Sequence, residues 1–320
     1  MASKEKNNKE FITASELRAR NIPVLDRKAG DFSKYTFWQY TSIDNIGYIL
    51  DGDGFWVNNI TAMNDLREIE LHKEEKDNIF VQCFSNSPNE KIPMWYLYGG
   101  ITGKGASIGL TPGVMRDYIN SIKYVTELVA EEEMKTKKYR LGERLEVGKD
   151  FELQAGWVFY VDYKSYDSEK MESSSYIRVN YWNEFSNVTN PEVFLRKNYF
   201  IKDYPWEYEK EFRIVLINKT GRYIEKIKID LPEGFRRQKN HKLKICLGPE
   251  ISNDKPDSSG ITDFDRCKQT IQEKASKNDT GTGSYTITVD KSSLKVSMDL
   301  MLRNQKVISA YVKSHPDYVI

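Results

Sequence analysis

The chain has 320 residues, enough to bury a substantial core, and its 48 basic and 47 acidic side chains leave a formal net charge of +1. That balance excludes a global field drawing the chain onto nucleic acid or an anionic membrane, and 20 Tyr, 14 Phe and 6 Trp exclude a disordered chain. Cys83, Cys246 and Cys267 are too scattered for a disulfide framework, and His72, His241 and His315 lack zinc-ligand spacing. The expectation is a soluble cytoplasmic protein, because no run of about 20 apolar residues reads as a membrane span and the N-terminus lacks the apolar core of a signal peptide.

In chain order, residues 1–32 read as a charged extension with a short helix over 13–20, where Thr13 and Glu16 have capping-box spacing. A strand over 35–40 follows, then a helix from Ser42 to about Leu50, a strand over 55–60 and a charged helix over 66–76. Residues 79–84 read as a buried strand, 92–98 as a short aromatic helix, and 106–110 as a strand that leads to a helix opened by Pro112. The charge-rich stretch 129–150 reads as partly helical, 157–163 as a strand, and the Ser-, Tyr- and Asn-rich stretch 165–190 as an insertion. A helix over 191–199 is expected to deliver Lys202. Strands over 223–229, 243–247 and 284–289, a helix over 261–277 and a C-terminal helix from about Ser297 complete the chain. Strands and helices mix without strict alternation, so the fold class is α+β, with one domain over 33–290 and a helical extension over 291–320.

The strongest chemical pattern is Trp206-Glu-Tyr-Glu-Lys-Glu-Phe-Arg-Ile-Val-Leu-Ile217. Read as a strand from Glu209, it sets Phe212, Ile214 and Leu216 on one face and Glu209, Glu211 and Arg213 on the other. Two carboxylates at that spacing stand roughly 6–7 Å apart, and an arginine continues the row. The glycines between Gly99 and Gly105 lack a phosphate loop's Gly-Lys-Ser/Thr ending and read as a turn. A basic run, Arg236-Arg237-Gln-Lys239-Asn-His241-Lys242, leaves room for a local nucleic-acid contact.

Several segments stand in a distinctive order. They are Trp38-Gln-Tyr40, Ala62-Met-Asn-Asp65, Val81-Gln-Cys-Phe-Ser85, Met94-Trp-Tyr-Leu-Tyr98, Lys202 with Trp206 to Arg213, and Ile245-Cys-Leu-Gly248. Over about residues 35–290 this resembles the bacterial family called domain of unknown function 2971. The family's loop reads Phe-Asn-Asp-Pro where this chain has Met63 and Leu66, and its strand carries Trp where this chain has Phe212.

The pattern is also similar, more distantly, to ADP-ribosyltransferases, which bind NAD in a cleft of a split mixed sheet. That resemblance implies NAD as substrate and transfer of ADP-ribose to a macromolecular acceptor, protein or nucleic acid. It implies a toxin or anti-phage defence role, with an antitoxin or chaperone as partner. Breaking the nicotinamide–ribose bond develops oxocarbenium character that a carboxylate stabilises. On that basis Glu211 is the catalytic carboxylate, Glu209 its helper, and Tyr40 or Gln39 the first-strand residue. Trp95 and Tyr98 are stacking residues, Asn64 and Asp65 contact ligand, and Lys202 and Arg213 hold phosphate or orient the glutamates.

Plainer roles exist for each residue. The glutamates could be solvated strand residues, Trp95 and Tyr98 core packing, and Asn64-Asp65 a helix cap. Two further functions stay open: a hydrolase or nuclease holding a divalent ion with Asp65, Glu209 and Glu211, and a non-catalytic nucleotide- or peptide-binding module.

Overall fold

The computed structural model describes residues 11–12, 36–52, 54–73, 75–99, 104–131, 138–161, 176–179, 193–230, 243–252, 255–277 and 287–294. The first half runs β1 (Phe11–Ile12), β2 (Phe37–Thr41), α1 (Ile43–Gly52), β3 (Gly54–Asn59), α2 (Leu66–Leu71), β4 (Ile79–Ser85) and α3 (Ile92–Tyr98). Next come β5 (Ala106–Leu110), α4 (Pro112–Ser121), β6 (Tyr124–Glu131), β7 (Lys138–Glu146), β8 (Phe151–Trp157) and β9 (Phe159–Val161). Then follow β10 (Tyr176–Val179), β11 (Val193–Arg196), β12 (Ile201–Asp203), β13 (Glu211–Asn218) and β14 (Lys226–Asp230). The chain continues through β15 (Leu243–Leu247), α5 (Pro249–Ser252), α6 (Asp263–Lys277) and β16 (Ile287–Lys291). Mixed sheets with peripheral helices make this an α+β fold.

Two units interleave along the sequence. One comprises Met1–Phe37, Gly52–Pro88 and Leu110–His241; the other comprises Trp38–Asp51, Asn89–Gly109 and Lys242–Ile320.

In the first unit the strands lie in the order β8-β13-β4-β3-β14-β6-β7, each antiparallel to its neighbours. Strand β13 is the centre of this core. It is bonded on both sides, to β4 and β8, and is buried at every position. Its Phe212 ring meets Phe37 at 5.3 Å and Trp157 at 5.2 Å, close to perpendicular in both cases, which is the favoured aromatic geometry. Glu211 and Arg213 occupy the opposite face, where β4 offers Ser85 and Cys83 in register and β8 offers Gly156 beside Arg213. A short parallel pair joins β12 to β9, and β1, β10 and β11 form a small separate sheet.

In the second unit β16, β15, β5 and β2 are neighbours in that order, with β15 and β16 parallel. Helix α6 buries Phe264, Ile271 and Ala275 along one stripe. Gly105 lies so close to Gly99 that a Cβ on it would fall 1.7 Å from the Gly99 carbonyl oxygen, and its own carbonyl accepts from the Gly248 amide at 2.9 Å. Gly105 leaves no room for a side chain there, and residues 100–103 of the expected turn lie outside the described residues.

The expected helix within 129–150 is instead the β6–β7 hairpin. Its charges alternate with apolar residues that pair across the strands, and Val125 opposite Leu145 is buried. A period of two decides the strand in spite of the many Lys, Glu and Arg. The expected helix over 191–199 is β11 plus a 3-10 turn at Lys197–Phe200, because Val193 to Arg196 pair with β10. The charged helix stops at Leu71, well short of residue 76, and a 3-10 turn at Lys76–Asn78 leads into β4. The helices expected over 13–20 and from Ser297, the basic run of 236–242, and most of 165–190 lie outside the described residues.

Candidate functional site

The polar face of β13 opens a buried ionic cluster in the first unit. Glu209 is not part of the strand: it ends a 3-10 helix, Tyr204–Glu209, and Lys210 follows in the left-handed region at φ 48°. This corrects the strand register read for Glu209. Lys210 reverses the chain there, which lets the carboxylates of Glu209 and Glu211 close on one ammonium.

That ammonium belongs to Lys202 on β12. It donates to Glu209 Oε2 at 2.6 Å and to Glu211 Oε2 at 3.4 Å. Arg213 donates from Nε to Glu211 Oε1 at 2.6 Å and from Nη2 to Glu211 Oε2 at 3.1 Å. The same guanidinium grips Glu68 of α2, with Nη2 at 3.0 Å from Oε2 and Nη1 on Oε1, and reaches the Tyr199 carbonyl at 2.9 Å. This forked, two-sided pairing uses the planar guanidinium fully. Relative exposures are 0 % for Glu68, 1 % for Lys202, 2 % for Glu209, 3 % for Glu211 and 0 % for Arg213, so the cluster is shut off from bulk water.

Electrostatics follow from that enclosure. Burial alone pushes Glu211 up, but Arg213 and Lys202 outweigh it and hold the carboxyl well below the usual range, so Glu211 is ionised. Burial likewise opposes the charges of Lys202 and Arg213, and the facing glutamates overcome it and raise both. Burial raises Glu68 against the pull of Arg213 and Lys202, with Glu211 adding to the rise. The Cys83 thiol donates to Glu211, and burial, with Glu211 adding to it, pushes its pKa up. Cys83 is therefore a protonated hydrogen-bond donor and a poor nucleophile. The Glu211 amide donates to the Tyr160 hydroxyl at 2.8 Å, and the Ser85 hydroxyl donates to the Glu209 carbonyl at 2.6 Å.

Of the residues singled out from sequence, the fold brings Glu209, Glu211, Lys202 and Arg213 together. Asp65 is buried and accepts from the Glu68 amide at 3.4 Å, which is helix-capping geometry, while Asn64 is exposed. Tyr40, Gln39, Trp95 and Tyr98 belong to the second unit. There Tyr40 meets Trp95 edge to face at 4.7 Å, and burial followed by Glu90 raises its phenol. Trp95 is a core residue whose indole N–H donates to Glu90 at 2.9 Å, and Glu90 also accepts from Ser292 and Ser293. Gln39 and Tyr98 are half-buried.

Sequence reasoning missed Glu68, Cys83 and Tyr160. Glu68 sits on what reads as a solvated charged helix, and its partner lies 145 residues away. Among the described residues no three His, Cys, Asp or Glu side chains are grouped to hold a metal ion, and Glu209 and Glu211 converge on Lys202 instead. No described helix is long and apolar enough to cross a membrane. Comparison with family models, curated proteins and solved structures gives no match for this chain.

Proposed function

We propose that the chain is an ADP-ribosyltransferase-like enzyme that moves ADP-ribose from NAD to a protein or nucleic acid, in a toxin or anti-phage defence role with an antitoxin or chaperone as partner. The observation that carries the reading is Glu211, a carboxylate kept ionised at the head of a core strand by Arg213 and Lys202. A fixed negative charge of that kind is what an oxocarbenium-like transition state requires nearby. In this reading Glu209 assists, Lys202 and Arg213 orient the pair, and Asn64 and Asp65 of the same unit contribute to nucleotide binding.

One observation favours a second reading. The five side chains are hydrogen-bonded to one another and almost fully enclosed, an arrangement that suits a non-catalytic nucleotide- or peptide-binding module.

The experiment follows nicotinamide release from NAD and label transfer to protein and nucleic-acid acceptors, alongside the melting temperature with and without NAD. Release together with NAD-dependent stabilisation supports the transferase. Stabilisation by NAD without turnover supports the binding module. The absence of both overturns the NAD assignment.

A further inference from the structure

Beside the ionic cluster, one short stretch of the first unit gathers aromatic rings near the surface. The 3-10 helix Tyr204–Glu209 begins with its Tyr204 amide donating to Asp203 Oδ1 at 2.9 Å and ends at the left-handed Lys210. Both ends are thereby pinned, which holds the side chains between them in place. Tyr204 is 49 % exposed, and Trp206 and Tyr208 are half-buried. The Trp206 and Tyr208 rings lie 6.2 Å apart between centroids, with 36° between their planes, and make one aromatic patch.

The cluster itself anchors this patch from within. The Lys202 ammonium, only 1 % exposed, sits 4.8 Å from the Trp206 ring centroid, a cation–π contact that fixes the indole. Toward solvent the patch carries hydrogen-bonding capacity that the protein does not use. Among the described residues neither the Trp206 indole N–H nor the Tyr208 hydroxyl makes a hydrogen bond, and neither is a buried orphan, so both reach water. Burial, with Glu209 adding to it, pushes the Tyr208 phenol up to about 12, so it stays protonated and able to donate.

An anchored pair of rings with two unpaired donors suits a flat ring that bears acceptor nitrogens. A phenyl ring can stack there but cannot accept, whereas a purine does both and covers more of the patch. The turn's own lysine, Lys210, pairs with Glu207, so the turn does not recruit a run of phosphates. We propose that Trp206 and Tyr208 form a stacking site for the purine base of a single nucleotide, beside the Glu211 cluster. The inference deepens the nucleotide reading of this site and rests on it for the class of ligand.

The test is equilibrium dialysis of labelled adenosine against the full chain, paired with tryptophan emission. Adenosine has neither a pyrophosphate nor a nicotinamide bond, so its binding reads the rings alone. Saturable binding with quenched emission is expected, weaker by about tenfold or more in Trp206→Leu and by roughly severalfold in Tyr208→Phe. Should the Trp206 variant fail to fold, Tyr208→Phe keeps the ring, and competition in wild type needs no variant at all. N-acetyl-phenylalaninamide is expected not to displace adenosine at concentrations where unlabelled adenosine does. Binding that persists unweakened in Trp206→Leu places the base elsewhere and overturns the inference. So does the absence of adenosine binding up to millimolar concentration, a result that leaves nicotinamide release untouched. Equal competition by the phenylalanine amide would make the patch a peptide contact. Adenylate oligomers that bind more tightly than their number of bases allows would make it a nucleic-acid contact, and either result overturns the single-nucleotide assignment. Adenosine binding without nicotinamide release from NAD keeps this site while the transferase reading falls.

Discussion

Lys202 is the side chain on which the cluster depends most. Its ammonium pairs with both Glu209 and Glu211 in a buried site. Removing it takes a buried cation from two carboxylates at once. Lys202→Met is therefore expected to cost about 3–5 kcal/mol, the range for breaking a buried pair from one side. Chemical denaturation checks this, and a loss below about 1 kcal/mol would show that the acids relax or hydrate freely. Lys210 makes a contrasting prediction from backbone geometry. At φ 48° a β-branched residue is strained, so Lys210→Val is expected to lower stability by roughly 1–2 kcal/mol while Lys210→Gly leaves it unchanged or better. Equal effects of the two substitutions would remove the strain argument. At this scale the sequence was legible where chemistry is local: Glu211 and Arg213, two residues apart on a strand, were visible as a pair. The turn at Lys210 was not, because nothing in the residue type announces a left-handed lysine.

Elements with a clean signal formed where expected. α3 matches its predicted bounds, α1 carries a Ser42 hydroxyl that accepts from the Asn45 amide at 3.2 Å, and β4, β5 and β15 lie within a residue of their expected ends. α6 is held by a reciprocal cap. Thr262 Oγ1 accepts from the Asp265 amide at 3.2 Å, and Asp265 accepts from the Thr262 amide at 3.2 Å. Thr262→Ala is expected to cost about 1 kcal/mol of stability, measured by thermal or chemical unfolding, and no change would show that solvent replaces the cap. The β6–β7 hairpin was harder to read because half its positions carry charges that also suit a helix. Its apolar partners, such as Val125 and Leu145, become visible as a face only once the register is known.

For the molecule as a whole, acid is the condition that exposes the cluster. Glu211 is held below the ordinary carboxylate range, so its contribution is present above roughly pH 4.3 and is lost as pH falls toward its folded value. The wild-type melting temperature is expected to drop steeply below that pH, and Glu211→Gln to show a shallower acid limb. Parallel limbs in the two proteins would mean that other carboxylates govern acid unfolding. The α+β class was legible from the mix of elements. The ionic core was not, because its contacts join residues that are remote in sequence, and a whole-chain charge count of +1 says nothing of which charges are buried together.

The 145-residue separation between Glu68 and Arg213 also has a kinetic consequence. A chain emerging from synthesis exposes the acid long before its guanidinium exists, so ordering of that region waits on loop closure over nearly half the polypeptide. Contacts made after the rate-limiting step act on how fast the native form opens, leaving the speed of its assembly nearly untouched. Substitutions there should shorten the native lifetime under stopped-flow unfolding and leave the refolding limb of the chevron in place.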